Sequence, residues 1–482
     1  MLYEELIDLA NATMKQKAEG QTLEVKAAHV DCPKRLYDTL SSFSNQDTGG
    51  VILFGLNEQT GFDPVGVYDL QDLQKKVTEQ CNQMEPPVRA VFTTAEIDGA
   101  PICAAEIPGL DLSERPCYYK GAGRVDGAYV RVGDADLKMT DYELYSFEAF
   151  RKHLHDDERP IERASLGMLD MDALKDYVRK KRIERPKFAR LNDEQAYEML
   201  QLTKDGVPTL AAIMNFGLYP QGYLPQLAIT AIVVPGSQIG DVADDDARFI
   251  DNKRIEGTLT DMLEEAMAFC VRNMKTRTII DLNTGKHVNK TEYPRGAIRE
   301  AILNALIHRD YSHHTEGTPI QINFFTDRLE IHSPGSLYGR MTVEQLGIAR
   351  LDQRNPALAV MAETLLGAEN RYSGIPTIRR EMAEYGLPEP VFQNRRNEFV
   401  VILYNRAAAT AKETKQTEDD TLLAFCRTPR SRQEIADYLG IKATPYMMNK
   451  YVLPLIQQGL LRMTIPDKPK SRHQRYYAVE RS

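Results

Sequence analysis

Two groups of residues in this sequence have types and spacing suited to chemistry. In the first, Glu24 and Lys26 alternate with Leu23 and Val25, so a strand of period two puts the carboxylate and the ammonium on one face and the apolar pair on the other. Carboxylates that converge near such a face can hold a divalent cation, which activates water and neutralises charge on a phosphodiester. The plain alternative is a surface ion pair, contributing about 0–1 kcal/mol. In the second group, Glu300, Asn304 and His308 recur every four residues in the run YPRGAIREAILNALIHRDY. That spacing lines polar groups along one stripe of an otherwise apolar helix opened by Pro294. His308, with Asp310 nearby, reads most simply as a hydrogen-bonded structural residue.

The elements that must position the first group surround it. Leu36, Leu40 and Phe43 have helical spacing, Gly49 and Gly50 allow a sharp turn, and Val51–Phe54 is a fully apolar strand ending at Gly55, Asn57 and Glu58. This order, closed by the strand YVRVG at 129–133, resembles the Schlafen-type AlbA-like domain, a nucleic-acid-binding fold of bacterial regulators, over about residues 19–134. Some members of that family are ribonucleases with an acidic trio beside a basic residue. The resemblance implies that Glu19 and Glu24 are the first two acids and metal ligands, Lys26 the basic partner and Glu58 the third acid, with Mg²⁺ or Mn²⁺ as the cofactor. Structural or phosphate-contacting roles are the alternative. Lys120 and Arg124 lie in a glycine-rich stretch with Tyr118 and Tyr119 that suits phosphate or base contact, or forms a simple hairpin turn.

The second group resembles the N-box of the GHKL ATPase fold, most closely a RecG-like subgroup of transcriptional regulators that is coupled to Schlafen-type domains. In that family the Glu300 position activates the attacking water, and the Asn304 position binds the Mg²⁺ that bridges the ATP phosphates. Gly335, in SerProGlySer, falls at the first glycine box, where Ser333 stands in place of the carboxylate that holds adenine. Ser373 and Gly374 fall at the second, where Tyr372 replaces a glycine. The resemblance therefore implies ATP with Mg²⁺ in a degenerate site, bound weakly or replaced by a dimerising role.

The 482 residues carry 60 Lys and Arg against 69 Asp and Glu, a net charge of −9, which argues against a globally basic nucleic-acid coat but permits a local one. Six cysteines show no paired spacing, which points to reduced thiols. Apolar runs are too short to span a bilayer and the start is acidic, so the expected location is cytoplasmic, with no membrane partner. The run Arg179–Arg190 is strongly basic, as solvated helix faces often are. Residues 405–418 lack large apolar side chains and read as a tether. Beyond them, Ser431 and Glu434 form a capping-box signature, and Thr444–Gln458 has the pattern of a recognition helix presenting Tyr446, Asn449 and Lys450. Two strands flank a tip with Lys468, Lys470, Arg472 and Arg475, a winged-helix pattern suited to DNA phosphates or to protein contacts.

The expected architecture is a multidomain α/β (α+β) chain. It comprises a Schlafen AlbA-like domain (1–150), a connector (151–290), a GHKL-like α/β sandwich (291–405), a linker (406–418) and a winged helix (419–482). The function expected is a homodimeric transcriptional regulator binding DNA or RNA, with nucleotide sensing. The alternatives are a metal-dependent nuclease, as in phage defence, and a nucleotide-gated protein-binding scaffold; as an enzyme it would be that nuclease or a weak ATPase.

Overall fold

The computed structural model describes the chain except residues 244–245, 281–286, 350–351, 368–373, 408–421, 424, 440–446, 458, 467–470, 472–473 and 480–482, and the side chains at 279, 280, 288, 449 and 450. The expected mixed α/β architecture is what it shows.

The first module is built on a four-stranded sheet in the order Leu23–Lys26, Gly50–Phe54, Ala100–Ile107, Val91–Ile97. The first pair is parallel and the others antiparallel, so the chain must cross over between Lys26 and Gly50, and helix Tyr37–Ser44 makes that crossing. Alternation along Gly50–Phe54 separates two cores. Ile52 and Phe54 pack with Leu36, Leu40, Phe43, Leu73 and Val77, while Leu53 faces Leu6, Ala10 and Val25 on the other side. The double glycine is demanded by space. Gly49 has φ +63° and a Cβ there would lie 2.2 Å from the Ile107 carbonyl, while one on Gly50 would lie 2.4 Å from the Phe43 ring. The stretch at 118–124 is more ordered than a glycine loop: Tyr118–Tyr119 pairs with Met84–Glu85, a short helix Gly123–Gly127 follows, and Tyr119 stacks on Tyr37 at 3.9 Å.

The second module is a six-stranded sheet in the order Asp251–Ile255, Ile229–Val233, Ile320–Phe324, Arg328–Pro334, Glu398–Tyr404, Val391–Asn394. Only the Ile229–Val233 and Ile320–Phe324 pair is parallel. The stretch expected as a connector thus supplies two strands of this sheet, and one core runs without interruption from Ile161 to Leu403. Ile255 is the last residue of an edge strand. The helix that follows it is Leu259–Asn273, capped by Thr258 and burying Leu259, Met262, Leu263 and Cys270. Helix Arg295–His308 buries its apolar residues and leaves Glu300, Asn304 and His308 partly exposed, and the carboxylate of Glu381 accepts the Ala297 N–H at 2.8 Å at its first turn.

In the C-terminal module Ser431 and Glu434 form the expected capping box on helix Arg432–Tyr438. Strands Arg430–Ser431 and Leu461–Met463 flank Arg475–Ala478, over a core of Leu422, Ile435, Val452, Leu455 and Tyr476. Among the described residues no helix is long and apolar enough to cross a membrane.

Candidate functional site

The acidic group of the first module is held by an arginine that its spacing did not reveal. Arg131, on strand Tyr129–Val132, has a side chain only 1% exposed and donates to Glu24 Oε2 at 2.8 Å and to Asp136 Oδ1 at 3.0 Å. The nitrogen that meets Glu24 also donates to the Leu23 carbonyl at 3.1 Å and the Gly20 carbonyl at 3.3 Å, and the guanidinium lies over the Phe43 ring. Lys26 contacts the other oxygen of Glu24. Both Glu24 oxygens are therefore engaged by cations.

Glu19 accepts the Val25 N–H at 2.7 Å. Burial pushes its carboxyl up from the usual range, a push reinforced by the charges of Glu24 and Glu58 and opposed by the Val25 N–H and by Lys26. Glu58 is exposed at the start of a turn, Glu58–Thr60. The four residues thus form one electrostatic neighbourhood. Among the described residues, however, no three carboxylate, imidazole or thiol groups are arranged to hold a metal ion.

The described cations expected to meet nucleic acid are engaged within the chain. Arg124 pairs with Glu148 at 2.7 Å, Lys120 with Glu85 at 3.4 Å and Arg475 with Glu434 at 3.4 Å. Tyr446, Lys468, Lys470 and Arg472 lie outside the described residues, as do the side chains of Asn449 and Lys450.

The second group opens into a cleft enclosing about 1200 Å³, lined by Glu300, Asn304, His308, Gly335 and Gly374 among others. Ser373 lies outside the described residues. Residues 74 positions apart in sequence, Glu300 and Gly374, meet here: a Cβ on Gly374 would sit 2.3 Å from Glu300 Oε1 and 3.0 Å from Asn304 Nδ2. A side chain at 374 would have to displace the Glu300 carboxylate from its present place. Ser333 lines the same cleft and donates its hydroxyl to the Ala305 carbonyl at 3.2 Å. His308 is held neutral, its pKa lowered to about 4 by burial and by the charge of Arg354.

Asp352, Gln353 and Arg354 also line the cleft and were not anticipated, because they come from an irregular stretch with no periodic signal. Gln353 Oε1 is buried and has no hydrogen-bond partner among the described residues. Arg354 lies 4.0 Å from Asp310, whose Oδ2 accepts the hydroxyl of Tyr142 at 2.8 Å. Tyr142 belongs to helix Asp141–Lys152, which also carries Glu143, paired with Arg396 at 2.9 Å. The wall of the cleft is in this way tied to the end of the first module.

Comparison with known proteins assigns both modules. Residues 19–140 match the family model "Schlafen, AlbA_2", and residues 317–403 match "Putative ATP-dependent DNA helicase recG C-terminal". The chain joins an AlbA_2 domain to a recG C-terminal-type domain. Residues 420–477 match the C-terminal domain of Fic-like proteins, named for filamentation induced by cAMP. Among solved structures, the DIP2311 protein of Corynebacterium diphtheriae is 20% identical over 91% of each chain, with a TM-score of 0.39. The N-terminal domain of a RecG-related protein of Nitrosomonas europaea, whose full name is "Putative ATP-dependent DNA Helicase RecG-related Protein", is 27% identical. That match covers 28% of this chain and 92% of that one, with a TM-score of 0.23. No curated protein matches the chain. The Glu24–Arg131 pair lies inside the AlbA_2 match. Helix Arg295–His308 precedes the recG C-terminal match, whose strands face Glu300 and Asn304 across the cleft.

Proposed function

We propose that this chain is a nucleic-acid-binding regulator, active as a homodimer, whose recG C-terminal-type domain senses ATP with Mg²⁺ in the Glu300–Asn304 cleft. The observation that carries the nucleotide reading is the close approach of Gly374 to Glu300 and Asn304, a cradle that a single methyl group would fill. In it Asn304 would hold the Mg²⁺ and Glu300 the water facing the terminal phosphate, the metal supplying charge neutralisation along the phosphates. Ser333 offers no carboxylate to adenine, but Gln353 Oε1 is a buried acceptor without a partner among the described residues, able to take an exocyclic amine. Weak binding and slow or absent hydrolysis follow from the missing carboxylate, which suits a sensor.

Calorimetric titration with ATP and Mg²⁺ tests this reading: heat that disappears in Asn304→Ala supports it, and no heat at millimolar ATP refutes it. The C-terminal module is read as a winged helix that grips DNA through the tip containing Lys468, Lys470, Arg472 and Arg475. Charge reversal at Lys470 and Arg472 should weaken DNA binding and flatten its salt dependence. An unchanged salt slope counts against it.

A metal-dependent nuclease is the second reading, favoured by one observation: the charges of Glu24 and Glu58 both act on the Glu19 carboxyl. Incubation of labelled RNA and DNA with Mg²⁺ or Mn²⁺ decides it.

A further inference from the structure

We propose that the hairpin of strands Thr276–Ile280 and His287–Thr291 forms one wall of a second phosphate-binding cleft. It is separate from the cleft at Glu300 and takes the phosphates of a nucleic-acid strand or of a free nucleotide. The inference goes beyond the proposed function, since neither the Glu300 cleft nor the C-terminal module takes part.

The hairpin register places Arg277 directly opposite Lys290, and Lys275, two residues before Arg277, falls on the same face. Like charges directly opposed across an antiparallel pair work against the pairing. Together with Arg406 and Tyr385 these cations line a cleft enclosing about 720 Å³. Its carboxylate, Glu292, is committed to neutral donors. One oxygen accepts the Lys275 backbone N–H at 3.2 Å and the other the Asn405 side-chain amide at 2.8 Å. Among the described residues no carboxylate lies within ion-pair distance of Lys275, Arg277 or Lys290. Lys290 is steadied by the Tyr385 ring, 4.0 Å from its ammonium, and Arg406 donates to the Tyr385 carbonyl at 3.2 Å.

The contrast with the most basic run of the sequence is instructive. There Arg179 and Lys180 pair with Asp176, Lys181 and Arg185 with Glu184, and Arg182 with Asp193. Each of those five cations has a carboxylate partner; Lys275, Arg277 and Lys290 have none among the described residues. A concave site with four cations against one carboxylate concentrates anions, and several ammonium and guanidinium groups around one cavity match the many oxygens of phosphate.

The test compares the wild-type protein with the variants Lys275→Ala/Arg277→Ala and Lys290→Ala, with circular dichroism confirming the fold. A fluorescent single-stranded oligonucleotide is titrated by anisotropy over a salt series, and inorganic pyrophosphate by calorimetry. If the source is a nucleic-acid strand, the double variant binds the oligonucleotide about tenfold or more weakly. Its salt slope then falls by about 1.4, at about 0.7 per lost phosphate contact. If the source is a free nucleotide, the oligonucleotide is unaffected and one class of pyrophosphate sites disappears. Lys180→Ala, which removes an ion-paired cation elsewhere, should change neither. The proposal is overturned if both cleft variants bind both probes as wild type does, if Lys180→Ala weakens binding as much as Lys290→Ala, or if wild type binds neither probe. Pyrophosphate binding through the cleft without any oligonucleotide binding would keep this site while refuting the nucleic-acid reading.

Discussion

Replacing Arg131 by Met tests whether the acidic group of the AlbA_2 domain is a structural clasp. Methionine keeps an unbranched apolar stem against Phe43 and removes the guanidinium. Glu24 and Asp136 then lose their shared cation, and the carbonyls of Gly20 and Leu23 each lose one of their donors. With the Arg131 and Glu24 side chains 1% and 9% exposed, little solvent replaces these bonds. Removing one partner of a buried ion pair costs about 3–5 kcal/mol. Glu24→Gln, which keeps a neutral acceptor, should cost less, about 1–3 kcal/mol. The double variant should fall short of additivity by about 0.5–3 kcal/mol, since the two residues share one contact.

The sequence contains no tryptophan, and a chain of several modules has no single unfolding transition. Hydrogen exchange of peptides covering strands Leu23–Lys26 and Tyr129–Val132 is therefore the suitable assay. Exchange by local opening should accelerate by about two to three and a half decades in Arg131→Met, at 1.4 kcal/mol per decade. Acceleration of less than about threefold would refute the clasp and return Glu24 to the set of residues available to a metal ion.

The remaining predictions address the other sites. Gly374→Ala should weaken ATP binding in calorimetry, because the new methyl group would lie 2.3 Å from Glu300 Oε1 and displaces that carboxylate from its place in the cleft; binding equal to wild type would sink the cradle. For the nuclease reading, Glu58→Gln is the informative variant, since Glu58 is exposed and its loss leaves the Arg131 clasp intact. Metal-dependent cleavage should vanish in it if that reading holds, and cleavage retained in Glu58→Gln and in Glu19→Gln would eliminate it. His332 bridges Glu330 and Glu398 at 2.9 and 3.0 Å; burial lowers its pKa, but the two carboxylates outweigh that and leave it raised above 6.5. A raised folded-state pKa stabilises below 6.5 and loses that contribution as pH rises through the folded value. Protection from hydrogen exchange in strands Arg328–Pro334 and Glu398–Tyr404, corrected for intrinsic exchange rates, should therefore decline on going from pH 6 to 8, and His332→Gln should flatten the decline.

The residues of this chain determined by themselves the local periodicities and the special positions. Leu23–Lys26 alternates as a strand must, Gly49 and Gly50 occupy a turn that no side chain fits, and Glu300 and Asn304 fall on one stripe of a helix. These are short-range consequences of backbone geometry, readable within a window of a few residues. Only the tertiary structure decided what those positions face. Arg131 reaches Glu24 across 107 residues, Gly374 closes on Glu300 across 74, and residues 229–255, read as a connector, complete a sheet with strands beyond residue 320. Neither the partner of a buried charge nor the neighbour of an edge strand is encoded in local spacing. Both are chosen when distant segments bury a common core, and that choice gave carboxylate partners to cations of one basic run and left three cations at a hairpin facing a cleft.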